Sequence, residues 1–147
     1  MWEVEKNLPD EDFLYMRVGE GYVSRDLKPR AVAFSNTPKT GTNLSSDWSK
    51  HCTPESSREL IGKQKNIKGE YKNPLSFSIW QFNIGKLREI VKPLQNVKHD
   101  PLYNNPELDG EPNNRAHSII IGDKPDNLEF RALMVLVGEW AIAPIKK

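Results

Sequence analysis

The chain has 147 residues, of which 37% are hydrophobic and 28% are charged, and this composition excludes wholesale disorder. Its 21 basic and 20 acidic side chains give a net charge of +1, so no global charge attracts it to nucleic acid or to a membrane surface. The single cysteine, Cys52, excludes an internal disulfide framework and favours a cytoplasmic location. The length predicts a single domain covering 1–147, and no apolar run is long enough to cross a membrane.

The first third of the chain predicts an arm, two strands and a long loop. Residues 1–12 are acidic and polar, and they predict a short arm. The aromatic and apolar run at 13–18 predicts a strand, and the run at 31–34 predicts a second, shorter strand. Residues 36–47 have the composition of a loop, and loops of this length are more often functional or mobile than idle.

The middle of the chain alternates between helix and strand signals. Thr53 can cap a helix over 54–61, since a proline occupies its first position. Alternating apolar residues predict a strand over 75–82, and Asn83 can cap a short helix after it. Residues 91–98 predict a strand at a sheet edge, because they contain a proline that cannot donate to a ladder.

The last third begins with a second long loop at 102–114, rich in proline. A β-rich run at 116–122 predicts a strand, and Asp123 can cap a C-terminal helix with an apolar stripe. Residues 140–142 predict a last short strand. The mixed order of elements predicts the α+β class, with a mixed or largely antiparallel sheet and helices packed on it.

Several common site motifs are absent from the sequence. It contains no Gly-x-Gly-x-x-Gly, no Walker loop and no Gly-x-Ser-x-Gly. It also contains no His-Glu-x-x-His and no Cys-x-x-Cys, the spacings typical of zinc sites. We therefore expect no cofactor and no metal.

The candidate catalytic residues are His99 and His117, which lie at the ends of two predicted strands beside long polar loops. If the strands are adjacent, the two imidazoles can face one cleft as base and acid, and Arg115 can hold an anion between them. This pattern predicts a pocket that binds or cleaves a phosphate-bearing ligand, either a small molecule or RNA. In the structural alternative, His99 organises the turn with Asp100, and His117 bonds a loop carbonyl.

Three further features have two interpretations each. Arg17 interrupts an apolar strand, so it either reaches solvent or points into a ligand site. Cys52 directly precedes a helix N-terminus, a position expected to lower its pKa, although without a base it is a bystander. The lysine-rich stretch 63–72 either contacts phosphates or keeps a loop solvated.

A set of short motifs spans most of the chain: Leu-Tyr-x-Arg from Leu14, Ala-Phe-Ser from Ala33, Leu-Ser-x-Asp from Leu44, Val-x-His-Asp-Pro from Val97, and Asn-x-Ala-His-x-x-Ile-x-Gly from Asn114. In these motifs the chain resembles small uncharacterised bacterial proteins of similar length. It departs from them at 63–73 and 108–113. The resemblance implies a bacterial origin and a free-standing domain, but no activity. It marks for testing Arg17, Asp47, His99, Arg115 and His117.

Two alternatives to a phosphate-binding site remain. One is a non-catalytic interaction module whose loops at 36–47 and 102–114 contact a protein partner. The other is similarity to the ADP-ribosyltransferase-like folds, which often place an arginine or histidine on an early strand, as Arg17 would be. The catalytic glutamate of such folds has no convincing counterpart in this sequence.

Overall fold

The computed structural model describes residues 2–35, 43–103 and 113–145. Its centre is one six-stranded sheet with the order β4-β5-β2-β1-β3-β6, in which all neighbours are antiparallel. The strands are β1 (Phe13–Gly19), β2 (Leu44–Trp48), β3 (Phe77–Asn83), β4 (Asn96–His99), β5 (His117–Ile121) and β6 (Gly138–Ile142). The predicted α+β class is confirmed.

Three short helices pack against this sheet: α1 (Pro54–Glu59), α2 (Ile84–Glu89) and α3 (Leu128–Leu136). Each begins with a side-chain cap, which satisfies a backbone N–H of the first turn. The predicted caps Thr53 and Asn83 are confirmed, whereas α3 is capped by Asn127 instead of Asp123. Within 2–35, 43–103 and 113–145, no helix combines the length and apolar character that crossing a bilayer requires.

Two of the predicted elements are corrected by the structure. Residues Ala31–Phe34 form a 3₁₀ helix instead of a strand, and Phe34 is the buried residue of this segment. Strand β1 already pairs with β2 on one side and β3 on the other, so it offers this segment no free edge. The predicted loop 36–47 contains the start of β2, which lies between β1 and β5. Residues 36–42 and 104–112 of the two predicted loops lie outside the described residues.

The two faces of the sheet differ in what covers them. The main core lies on the face that carries Leu14, Met16 and Trp80, and it includes side chains of α2, α3 and the N-terminal arm, where Leu8 is buried. Helix α1 lies on the opposite face, where Ser57 contacts a strand carboxylate. Because side chains alternate along a strand, polar groups on this second face stay apart from the main core.

Replacing Gly138 by alanine is expected to destabilise the protein by about 2–3 kcal/mol, because the new methyl group overpacks the core. A Cβ at Gly138 would lie 2.1 Å from Nε1 of Trp80. That indole is buried and meets Trp140 edge to face at 4.9 Å between centroids, so it has little room to move.

The matched control is Gly21→Ala, since a Cβ there meets nothing within 4 Å. Its effect should stay within about 0.5 kcal/mol. Urea unfolding followed by fluorescence compares the two variants. Equal unfolding midpoints for both would contradict the predicted clash.

Candidate active site

Strand register brings three of the predicted site residues to the second face of the sheet. Asp47 lies directly across from His117 in the β2–β5 pair, and Tyr15 lies across from Asp47 in the β1–β2 pair. Side chains two residues apart share a face, which adds Arg17 on β1 and Ser45 on β2. We call the group formed by Arg17, Ser45, Asp47, Asp100 and His117 the polar site.

The hydrogen bonds of His117 fix its tautomer. Its Nδ1 lies 2.8 Å from the backbone carbonyl oxygen of Asp100, which can only accept, so Nδ1 carries the ring proton. In the neutral imidazole, Nε2 then holds a lone pair, and it lies 3.3 Å from Oγ of Ser45. The Ser45 hydroxyl donates to this nitrogen, which is the arrangement that a general base and its nucleophile require.

The backbone carbonyl and the carboxylate of Asp100 both lie near Nδ1 of His117, but only the carbonyl is within ordinary hydrogen-bond distance. The carbonyl at 2.8 Å has ordinary hydrogen-bond length, whereas the carboxylate oxygen lies 3.5 Å from Nδ1. The backbone N–H of Asp100 also donates to the His117 carbonyl at 2.9 Å and continues the β4–β5 ladder. The main chain therefore orients the imidazole, and the carboxylate adds charge nearby.

Asp47 is the centre of a buried network on the same face. One of its carboxylate oxygens accepts hydrogen bonds from Nη2 of Arg17 at 2.6 Å and from Oγ of Ser57 at 2.6 Å. The other accepts from Nδ2 of Asn114 at 2.9 Å. Nε of Arg17 donates to the Ser57 carbonyl at 2.7 Å, so the ion pair also fastens α1 to the sheet.

A cavity opens beside Ser45 where two strands separate. Strands β1 and β2 pair only at Leu14–Trp48 and Tyr15–Asp47, so the earlier part of β2 leaves β1. The gap holds a cavity of about 350 Å³. Its walls include seven apolar side chains and, among the described residues that line it, one charged side chain: Met16, Val18, Tyr22, Val32, Ala33, Leu44, Ile61 and the charged Arg17.

Two larger cavities, of about 780 and 760 Å³, lie elsewhere, and Ser45 is not among the described residues that line them. Volume alone would favour them. We place the candidate site at the smaller cavity because it is lined by Ser45, the hydroxyl that His117 contacts. A small apolar cavity with a few convergent polar groups is typical of a ligand site.

His99 lies on the other face of the sheet. It is directly across from Ser118, one residue from His117, and a shift of one residue reverses the face. Nδ1 of the buried His99 accepts from the Glu5 backbone N–H at 3.0 Å, and Nε2 donates to the Arg115 carbonyl at 2.7 Å. The expected cleft shared by His99 and His117 therefore does not form, although their strands are adjacent.

Arg115 is exposed, and it is not part of the polar site. Its backbone carbonyl accepts a hydrogen bond from Nε2 of His99, so the contact to a histidine comes from the main chain and not from the guanidinium. The polar site instead contains Arg17, which pairs with Asp47. Both interpretations of this arginine hold in part, since its side chain lines the cavity and is also partly exposed to solvent, at 20%.

Cys52 corrects an expectation about reactivity. Burial, reinforced by the Asp47 carboxylate, raises the pKa of this thiol to about 12. Its Sγ lies 3.3 Å from the Trp48 carbonyl. The predicted lowering of the pKa by the following helix is therefore wrong, because α1 is short and desolvation disfavours the thiolate more strongly.

A second group of ionisable side chains forms around His99, and we call it the histidine cluster: Glu5, His51 and His99. One ligand atom from each of these residues lies within 4.8 Å of the others, close enough for a metal ion to be considered. Lys50 pairs with the Glu5 carboxylate, and with His51 it lowers the pKa of Glu5 to about 2.

Sequence reasoning missed several residues of these two groups: Ser45 as a hydroxyl partner, Ser57, Asn114, Glu5 and His51 as a cluster member. No local spacing could have shown that these residues meet, since Ser45 and His117 are 72 residues apart and Glu5 and His51 are 46 apart. Ser45 and Asn114 lie inside two of the short motifs, but neither had an assigned role.

Comparison with family models, with curated proteins and with solved structures finds no match for this chain.

Proposed function

We propose that the protein is a serine-dependent esterase in which Ser45 is the nucleophile and His117 the general base. The observation that carries this proposal is the lone pair of His117 Nε2, which lies 3.3 Å from an exposed hydroxyl at the edge of a cavity. An activated serine requires a base held by a third group, and the Asp100 carbonyl holds His117 in the required tautomer.

The charge balance of the cavity favours a carboxylic ester as substrate. Arg17 already pairs with the buried Asp47, so the local net charge is close to zero. The cavity offers little excess positive charge to balance a dianionic phosphate. A neutral or singly charged ester would lose less hydration free energy than a dianion when it enters. The apolar walls and a volume of about 350 Å³ suit a short acyl chain.

The proposed reaction has two steps, acylation of Ser45 and hydrolysis of the acyl-serine. Oγ of Ser45 bonds to the ester carbonyl carbon while its proton passes to Nε2 of His117. The carbon–alkoxide bond then breaks, and the alcohol leaves with that proton. A water molecule, deprotonated by the same nitrogen, hydrolyses the acyl-serine and restores the hydroxyl.

A phosphate-bearing ligand is the second candidate, and the presence of Arg17 in the cavity favours it. A guanidinium can pair with a phosphate in a bidentate manner. Binding of this kind would need no nucleophile, and the cavity volume restricts it to small phosphate esters. Inorganic phosphate and phenyl phosphate therefore serve as competitors in the test of the esterase.

Labelling with a fluorophosphonate probe tests the proposed nucleophile. The activated hydroxyl should displace fluoride from phosphorus and form a covalent adduct, which intact-mass spectrometry detects and peptide mapping locates at Ser45. We expect one adduct per chain in the wild type and none in Ser45→Ala. The matched control is Ser76→Ala, a serine beside a different cavity, and it should label like the wild type.

Labelling of Ser45→Ala at the wild-type rate, or no labelling of the folded wild type, would reject the esterase. In that case, protection of Arg17 from phenylglyoxal by phenyl phosphate would support the phosphate-binding candidate. Slower labelling of Ser45 in the presence of a short ester such as phenyl butyrate, but not of phenyl phosphate, would support a carboxylic ester as the substrate.

A further inference from the structure

We propose that the histidine cluster, on the face of the sheet opposite the polar site, is a binding site for a divalent transition metal of the zinc class. Glu5, His51 and His99 place their ligand atoms within 4.8 Å of one another. Two imidazoles and one carboxylate are a ligand set that Zn²⁺ accepts, with a fourth position left for water. The residues come from three separate parts of the chain, so folding itself assembles the set.

The ligand atoms follow from the hydrogen bonds. Nε2 of His99 donates to the Arg115 carbonyl at 2.7 Å, which leaves Nδ1 as the ligand atom. A histidine ligand commonly donates its second ring N–H to a backbone carbonyl, since that bond fixes the ring and raises its basicity. His51 turns Nε2 toward Oε2 of Glu5, and its ring stacks on that of His99 with centroids 5.6 Å apart.

The surroundings hold the two rings in place. Trp48 meets both imidazoles edge to face, with centroids 5.2 Å from each. His99 is fully buried, and the His51 side chain is nearly so. Rigid ligands in a shielded position lose little freedom when a metal binds, which favours affinity.

Metal binding requires a limited rearrangement. A tetrahedral zinc site places its ligand atoms roughly 3.3 Å apart, so a spacing of up to 4.8 Å must contract. The Glu5 backbone N–H must also release Nδ1 of His99, to which it donates at 3.0 Å. Because Glu5 belongs to the N-terminal arm, the arm is the part that moves, and Lys50 can keep its contact with Oε1.

The consequence is a metal-dependent attachment of the arm. Glu5 is on the arm, whereas His51 and His99 are on the body of the fold. A bound ion would add to the contacts that already hold the arm, which include the stacked pair of Trp2 with Tyr103 and the buried Leu8. Ligands that bind only the folded chain raise its stability by mass action.

Isothermal titration of the full chain with Zn²⁺ tests the proposal, in a Cys52→Ser background so that the thiol cannot supply a ligand. We expect one ion per chain, and a loss of affinity of about 100-fold in His51→Gln and in Glu5→Gln. The control is His117→Gln, which removes the histidine on the opposite face and should leave Zn²⁺ affinity unchanged.

Nuclear magnetic resonance of the wild type is a second test, and it needs no variant. In the wild type, imidazole ¹⁵N resonances of two histidines should shift on addition of Zn²⁺, while that of His117 stays in place. Absence of Zn²⁺ binding by the wild type would overturn the proposal. It would also be overturned if His51→Gln and Glu5→Gln bound as tightly as the control, or if the His117 resonance shifted together with the others.

Discussion

Replacing Asp47 by alanine is expected to lower the free energy of unfolding by about 3–5 kcal/mol, the range for removing one partner of a buried ion pair. The Asp47 side chain is 2% exposed, and its carboxylate accepts hydrogen bonds from Arg17, Ser57 and Asn114. Its loss leaves the guanidinium unpaired and withdraws the acceptor of two further donors. Urea unfolding monitored by circular dichroism gives the difference.

The matched control is a second arginine–aspartate pair at the surface. Nη1 of Arg88 lies 2.7 Å from Asp10, a distance close to that of the buried pair, but the Asp10 side chain is 62% exposed. Asp10→Ala should cost less than about 1 kcal/mol, because solvent screens such pairs. Equal losses for Asp47→Ala and Asp10→Ala would show that burial does not determine the strength of the Asp47 network.

A double-mutant cycle separates the ion pair from the rest of the network. In an Arg17→Leu background no guanidinium is left unpaired, so Asp47→Ala should cost less there than in the wild type. If the two costs are equal, the hydrogen bonds to Ser57 and Asn114 account for the whole effect.

The sequence left open whether the strands of His99 and His117 are adjacent, and it did not determine which face each side chain takes. The two imidazoles were expected to face one cleft if these strands met, and β4 and β5 are indeed neighbours. The face depends on a register of one residue, and His99 pairs with Ser118 instead of His117. No local pattern records this offset, because it places Val97 opposite Ile120 on the buried face, a pairing between residues far apart in the sequence.

Local signals predicted the helix starts better than they predicted β2. Thr53 and Asn83 cap helices because a side-chain oxygen needs only its own neighbours. Strand β2 contains Ser45, Ser46 and Asp47, which have low strand propensity and made it look like loop. Partners on β1 and β5 compensate for that propensity, and such partners are visible only in three dimensions.

Ester turnover provides the test with the largest expected effect. Ser45→Ala should reduce kcat/KM for a short-chain p-nitrophenyl ester by about 10³-fold or more, because it removes the hydroxyl that is proposed to form the acyl intermediate. His117→Gln should reduce it by about 10²–10⁴-fold, the usual contribution of a general base. The double variant should be no slower than Ser45→Ala, since both residues serve one step.

A second histidine provides the control for His117→Gln. His51→Gln should keep the wild-type kcat/KM, because His51 lies in the histidine cluster on the other face of the sheet. Asp100→Asn should cost less than about 10-fold, since the backbone carbonyl at 2.8 Å remains as the acceptor for Nδ1. A far larger loss in Asp100→Asn, with folding intact, would mean that the carboxylate at 3.5 Å orients the base, and the role given to the main chain would be wrong.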